Sequence, residues 1–227
     1  MRKFFKHFWG VCFSVALMTA LLCSVLLALT LNDGLMASKF DTYVDPAVTG
    51  VEAKDHPVLA RVIVSYLSGR ADSMQLAISV HGQMRDAFQE HELQHMRDVR
   101  SLIQLAFRVL ALCGAAVLIS LLVVFAWKRS LAPCFARMFL KTSLALFAIM
   151  AAVGLWAVFD FDSLFRAFHQ VAFTNELWLL NPHTDLLLQL MPLSFFISYA
   201  AQIGLWWLGI MALLALSAFL YLKRRIQ

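Results

Sequence analysis

The sequence predicts an all-α membrane protein: four transmembrane helices carrying a small α+β extracytoplasmic cap. Three observations predict it. First, 61% of the 227 residues are hydrophobic and only 15% are charged, whereas a soluble domain averages about 45–50% apolar and about 25% charged. Second, four apolar stretches, residues 8–31, 102–127, 142–159 and 195–222, each approach the roughly 20 residues that cross a bilayer core. Third, charge is sorted by segment. All 14 acidic residues fall in 32–101 or 160–194, while the other ends carry only positive charge: Arg2, Lys3 and Lys6; Lys128, Arg129, Arg137 and Lys141; Lys223, Arg224 and Arg225. The positive-inside rule then places both termini in the cytoplasm and both acidic segments outside.

Residues 1–31 form a cytoplasmic N-terminus and the first span. The run MRKFFKHF suits a signal peptide, but the apolar stretch after it exceeds the 7–15 residues of a signal h-region. Cys23 follows Leu22, where lipidation requires a small residue. The segment therefore reads as an uncleaved anchor. Residues 32–101 are the first outer segment, too short for a large core of its own. Asp55-His56-Pro57 starts a helix that Gly69 ends. Met74, Leu76, Ile78 and Val80 alternate with smaller or polar residues, a period of two that predicts a strand, with His81-Gly82 as a hairpin turn. From about Asp86 the pattern becomes helical and runs into the second span, 102–127. A basic cytoplasmic loop, 128–141, leads to the third span, 142–159. In the second outer segment, 160–194, a helix starts at Asp160, Asn181-Pro182 breaks the chain, and HTDLLLQL reads as a short helix. Pro192 opens the last span and C-terminus, 195–227. The cysteines, Cys12, Cys23, Cys113 and Cys134, lie outside both outer segments. Those segments have no disulfide framework and no thiol nucleophile.

Residues 91–95, HELQH, match H-E-x-x-H, a zinc-protease pattern in which two histidines share a helix face. Such a site needs a third ligand and an open position for water; His169, Glu176 and Asp185 are the outer candidates. Three fixed positions in five residues also arise by chance in a polar helix. Other residues favour a different use of His95. Asp98, three residues on, can reach the same side to orient an imidazole or stabilise its cationic form. Arg108 stands inside the second span, where it can snorkel or hold a carbonyl or headgroup. A haem protein and a non-enzymatic membrane assembly factor are the remaining alternatives.

Two stretches carry a more specific signal. One is ELQHMRDVRSL, residues 92–102. The other is FHQVAFTNELWLLNPHTDLLLQLMPLSFF, residues 168–196, with His169, Phe173, Asn175, Trp178, Pro182, Asp185, Pro192 and Phe196 prominent. Together they resemble the bacterial lipoprotein intramolecular transacylase (Lit) family. The resemblance implies four transmembrane helices with an extracellular cap in the bacterial cytoplasmic membrane. It implies an acyltransferase acting on diacylglyceryl-modified lipoproteins among membrane lipid, with no nucleic-acid partner. The sn-2 acyl chain moves to the cysteine α-amino group, giving a lyso-form lipoprotein. It implies a catalytic histidine pair, His95 and His169. Asp98, Arg108, Phe168, Phe173, Asn175, Trp178 and Asp185 are read beside that pair in supporting or substrate-binding roles. In this reading His91 is outside the site.

That chemistry is compatible with the residues present. Ester-to-amide transfer is downhill, so no cofactor and no metal are expected. The amine itself attacks, and the outer segments hold no G-x-S-x-G or cysteine nucleophile. Its pKa lies near 7.7–8.0, so a base must take its proton and an acid must protonate the departing glyceryl oxygen; histidine serves both near neutral pH. His95 is expected to be the base, because Asp98 can orient it, with His169 assisting.

Overall fold

The computed structural model describes residues 2–126 and 128–225. Trp127, the expected end of the second span, lies outside the described residues. In chain order the elements are α1 (Arg2–Thr30), α2 (Asp33–Tyr43), α3 (Pro46–Thr49), α4 (His56–Ser68), β1 (Ala77–Val80), β2 (Gln83–Asp86), α5 (Glu90–Ala126), α6 (Ala132–Phe159), α7 (Phe161–Ala172), α8 (Leu186–Leu190) and α9 (Leu193–Lys223). Helices α1, α5, α6 and α9 are each long and apolar enough to cross a membrane. The chain is a multi-pass membrane protein.

Local chemistry explains the boundaries. Asn32 accepts from the Leu35 N–H to start α2, and Asp160 accepts from Ser163 to start α7, both as N-caps. Gly69 ends α4 in the left-handed conformation, at φ 84°, as an αL cap requires. The hairpin pairs Ala77 with Asp86 and Val80 with Gln83. His81 and Gly82, at φ 50° and 77°, supply the two left-handed residues of a type I′ turn.

Two expectations change. Residues 128–141, read as a loop, are a 3₁₀ turn at Arg129–Leu131 and the first turns of α6. Hydropathy marks where a chain can enter lipid, whereas the helix ladder continues through the basic residues before it. The helix leading to the second span starts at Glu90 rather than near Asp86, because β2 occupies Gln83–Asp86. The polar first turns of α5 precede the spanning run, which begins at Leu102.

The chain divides into two compact units. One comprises Met1–Val25, Phe107–Phe159 and Ile203–Gln227. It is cored by Met18, Phe139, Trp207 and Met211, and the indole N–H of Trp207 donates to the Met18 carbonyl at 3.1 Å. Gly10 permits close helix packing: a Cβ there would stand 2.8 Å from Met138 Cγ. Large apolar side chains such as Phe125, Leu144, Leu205 and Leu213 are exposed, the outward face a lipid-spanning bundle presents.

The other unit comprises Leu26–Ala106 and Asp160–Gln202. Met36 and Phe40 of α2, with Leu59, Ile63 and Val64 of α4, are buried within it. Phe40 stacks on Phe195 at 5.7 Å. Lys39 is also buried. Its ammonium donates to Ser198 Oγ at 2.5 Å and lies 4.6 Å from the Tyr199 ring centre.

Candidate active site

His95 and His169 meet in this second unit. His95 comes from the second turn of α5, and His169 from the last turn of α7. Their ring centres are 6.2 Å apart and both residues are buried, at 8% and 7% exposed. Aromatic rings surround them. Phe173 stands 5.3 Å from His95 and 5.5 Å from His169. Around His169, Phe165 lies at 4.3 Å, Trp178 at 5.1 Å and Phe168 at 5.3 Å. Phe165 in turn packs on Phe196 at 4.7 Å. Apolar walls this close exclude water and strengthen electrostatic effects within them.

Hydrogen bonding distinguishes the two imidazoles. His169 Nδ1 lies 2.7 Å from the Phe165 carbonyl oxygen. A carbonyl only accepts, so Nδ1 carries the proton and, in the neutral ring, Nε2 keeps the lone pair. His95 Nδ1 is buried and has no hydrogen-bond partner among the described residues. Burial holds both imidazoles below the ordinary histidine pKa. For His95 the neighbouring His169 adds to this and Asp98 opposes it; for His169 the Phe165 carbonyl opposes it. Both rings are therefore neutral at pH 7.

Asp98 is placed differently from the expectation. Its carboxylate accepts from Asn175 Nδ2 at 2.8 Å, and the unpartnered Nδ1 of His95 shows that the expected orienting bond to that nitrogen is not made. Asp98 reaches His95 only as a nearby charge. Asn175 also closes its own loop, accepting from the Leu177 N–H at 3.0 Å. Asp185 is buried and occupies the N-cap position of α8 without capping it. Its oxygens instead accept from the Asn181 N–H, the Thr184 hydroxyl and His91 Nε2, at 2.8, 2.7 and 2.9 Å. Burial raises the Asp185 pKa, but these bonds outweigh it and leave the carboxyl below its usual range. Arg108 lies further along α5, in the first unit.

The zinc-like motif separates into three roles. His91 is bonded to Asp185, and His95 faces His169. Glu92, 0% exposed, accepts from the Gln89 N–H at 2.6 Å through Oε2 and from the Leu187 N–H at 2.7 Å through Oε1. Burial pushes its carboxyl up and these two bonds pull it back. With both oxygens committed to backbone, Glu92 is not placed as the general base of a zinc-bound water. The expected third ligand is likewise missing from the geometry: among the described residues no group of three His, Cys, Asp or Glu is arranged to hold a metal ion. The structural use of Glu92 was not visible in sequence, since Leu187 is 95 residues away.

The comparisons agree with this geometry. The family profile described as lipoprotein intramolecular transacylase Lit matches residues 11–196. No curated protein matches the chain. In-meso structures of the membrane-integral Lit from Bacillus cereus are similar to it throughout. One has a TM-score of 0.75 at 19% identity, covering 99% of this chain and 100% of that one. Two others carry a single histidine substitution. The arginine variant has a TM-score of 0.72 at 19% identity, covering 100% and 96% of the two chains; the alanine variant has 0.73 at 18%, covering 100% and 98%. At such identities the structural likeness establishes the fold, while the profile spans most of the sequence. This four-span membrane protein belongs to the lipoprotein intramolecular transacylase (Lit) family of acyltransferases.

Proposed function

We propose that His95 and His169 carry the sn-2 acyl chain of a diacylglyceryl-cysteine lipoprotein to the α-amino group of the same cysteine. The observation that carries the assignment is the pair itself: two buried, neutral imidazoles within 6.2 Å, walled by aromatic rings. His169 is the better base. Its Nδ1–H is committed to the Phe165 carbonyl, which fixes the tautomer and leaves Nε2 to take a proton from the amine. This reverses the roles expected from sequence. The amine nitrogen bonds to the ester carbonyl carbon, and the bond between that acyl carbon and the sn-2 oxygen then breaks. The proton held on His169 goes to the departing glyceryl oxygen. His95 serves as the partner at the carbonyl, a neutral imidazole donating a ring N–H to the developing negative charge. Nucleophile and ester belong to one molecule, so positioning supplies most of the acceleration; well-oriented intramolecular reactions reach effective molarities of about 10⁵–10⁸ M.

In this reading both termini are cytoplasmic and the histidines face the extracytoplasmic side, with membrane lipid around the substrate's acyl chains. The basic termini and the acidic outer segments support that orientation. The experiment is to incubate purified protein with a synthetic diacylglyceryl-cysteine peptide and follow it by tandem mass spectrometry. An N-acylated product of unchanged mass is expected from the wild type. His95→Ala and His169→Ala should each abolish it while the protein stays folded. Full activity in either variant would refute the pair.

A further inference from the structure

A polar cavity of about 490 Å³ lies in the same unit, lined among others by His81, Gln83, Arg85, Gln89, His183 and Gln189. We infer that this cavity binds the polypeptide that follows the lipidated cysteine, and that it favours acidic residues there. The inference rests on the transfer reading above, and it concerns a part of the substrate that the histidines do not touch.

Position supports it. Gln89 stands immediately before α5, six residues ahead of His95, or about 9 Å along the helix axis. Extended peptide advances about 3.3–3.6 Å per residue. A cysteine whose amine sits at the histidines therefore has its second to fourth residues within reach of Gln89. The rim is fixed from both outer segments: Gln89 Nε2 donates to the Thr184 carbonyl at 3.2 Å, and Gln189 Nε2 donates to the Pro182 carbonyl at 3.0 Å.

The unused hydrogen-bonding capacity suits a peptide. Those two amides have committed donors, so their oxygens are left to accept peptide N–H groups. Arg85, His81 and His183 present donors, and among the described residues none of their side chains is in an ion pair or side-chain hydrogen bond. Of β2, Gln83 and Arg85 line the cavity, and both are exposed. An unpaired guanidinium next to two imidazoles attracts carboxylates and repels ammonium groups. No acidic side chain contributes to the lining.

The test compares three substrates carrying the same diacylglyceryl group: the lipidated cysteine amide, a five-residue peptide with Asp and Glu at its second to fourth positions, and one with Lys there. The wild type should show the lowest KM for the acidic peptide, with kcat alike for all three. Arg85→Glu should raise KM for the acidic peptide about tenfold, lower it for the lysine peptide and leave the cysteine amide unchanged. A folding defect cannot produce that exchange of preference. Equal KM for all three substrates in the wild type, or an Arg85→Glu profile like the wild type, would overturn the site alone. A wild type that acylates none of the three overturns the transfer reading, and the site with it.

Discussion

Glu92→Ala should destabilise the protein by roughly 2–4 kcal/mol. In the wild type one carboxylate accepts from two backbone N–H groups, at Gln89 and Leu187. Removing it orphans both donors, the Leu187 N–H in a buried place and the Gln89 N–H in a part-buried one, at about 1–3 kcal/mol each. The loss is partly offset because a buried carboxylate no longer has to be desolvated, which brings the sum down from roughly 2–6 kcal/mol. Glu92→Gln keeps one acceptor and turns an amide N–H₂ toward the other donor, so it should lose about half as much. Equilibrium unfolding of detergent-purified protein measures both. A Glu92→Ala variant within about 0.5 kcal/mol of the wild type, the range of an ordinary surface change, would refute the bridging role. The experiment also discriminates between chemistries. The general base of a zinc protease, once removed, abolishes turnover without this structural penalty.

Three further outcomes follow. His91→Ala should leave acyl transfer near wild type and cost about 1 kcal/mol in unfolding experiments, because it removes one hydrogen bond from a half-exposed imidazole to Asp185; abolished transfer would return His91 to the chemistry. Trp207→Phe removes the indole N–H that bonds the Met18 carbonyl, which keeps its own bond within α1, and leaves a void at a buried position, so it should cost about 1–3 kcal/mol, read from the same unfolding curves. The pH dependence has a definite sign. His95 and His169 have folded-state pKa values below the ordinary 6.5, so the unfolded chain binds protons first on acidification. The stability they confer is complete above about pH 6.5 and is lost as pH falls toward the folded-state values. The acid limb of kcat should accordingly lie below 6.5, while kcat/KM should also follow the substrate amine at about 7.7–8.0. An acid limb of kcat above 6.5 would contradict buried, neutral histidines.

The spans were legible because length and hydropathy alone define them, and the hairpin because alternation at Met74–Val80 and a His-Gly turn are local signals. Helix α2 was not. Lys39 and Asp41 flank the buried Phe40 and obscure any apolar face, and Lys39 is tolerated inside because Ser198, 159 residues later, accepts from it and the Tyr199 ring lies beside it. The same limit applied to the site. A family pattern pointed to His95 and His169, but no spacing revealed that Asn175 would take Asp98, 77 residues away. Partners remote in sequence decide hydrogen bonds, and a single sequence displays only local ones.

The histidines reach one another from separate outer segments, so their alignment depends on what joins those segments. Polar links among the described residues do so: Gln89 to the Thr184 carbonyl, His91 to Asp185, Glu92 to the Leu187 N–H, and Asn175 to Asp98. Three begin on Gln89, His91 and Glu92, within two turns of His95. This accounts for a zinc-like pattern in a protein whose proposed chemistry uses one of its histidines. Residues three and four apart lie along one helix face, so His91 and Glu92 can hold α5 against the second outer segment while His95, one turn on, meets His169. A metal site would need His91 and His95 to converge on one ion with Glu92 free. Here His91 and Glu92 are spent on alignment, and a reaction whose two ends already belong to one substrate gains most from alignment.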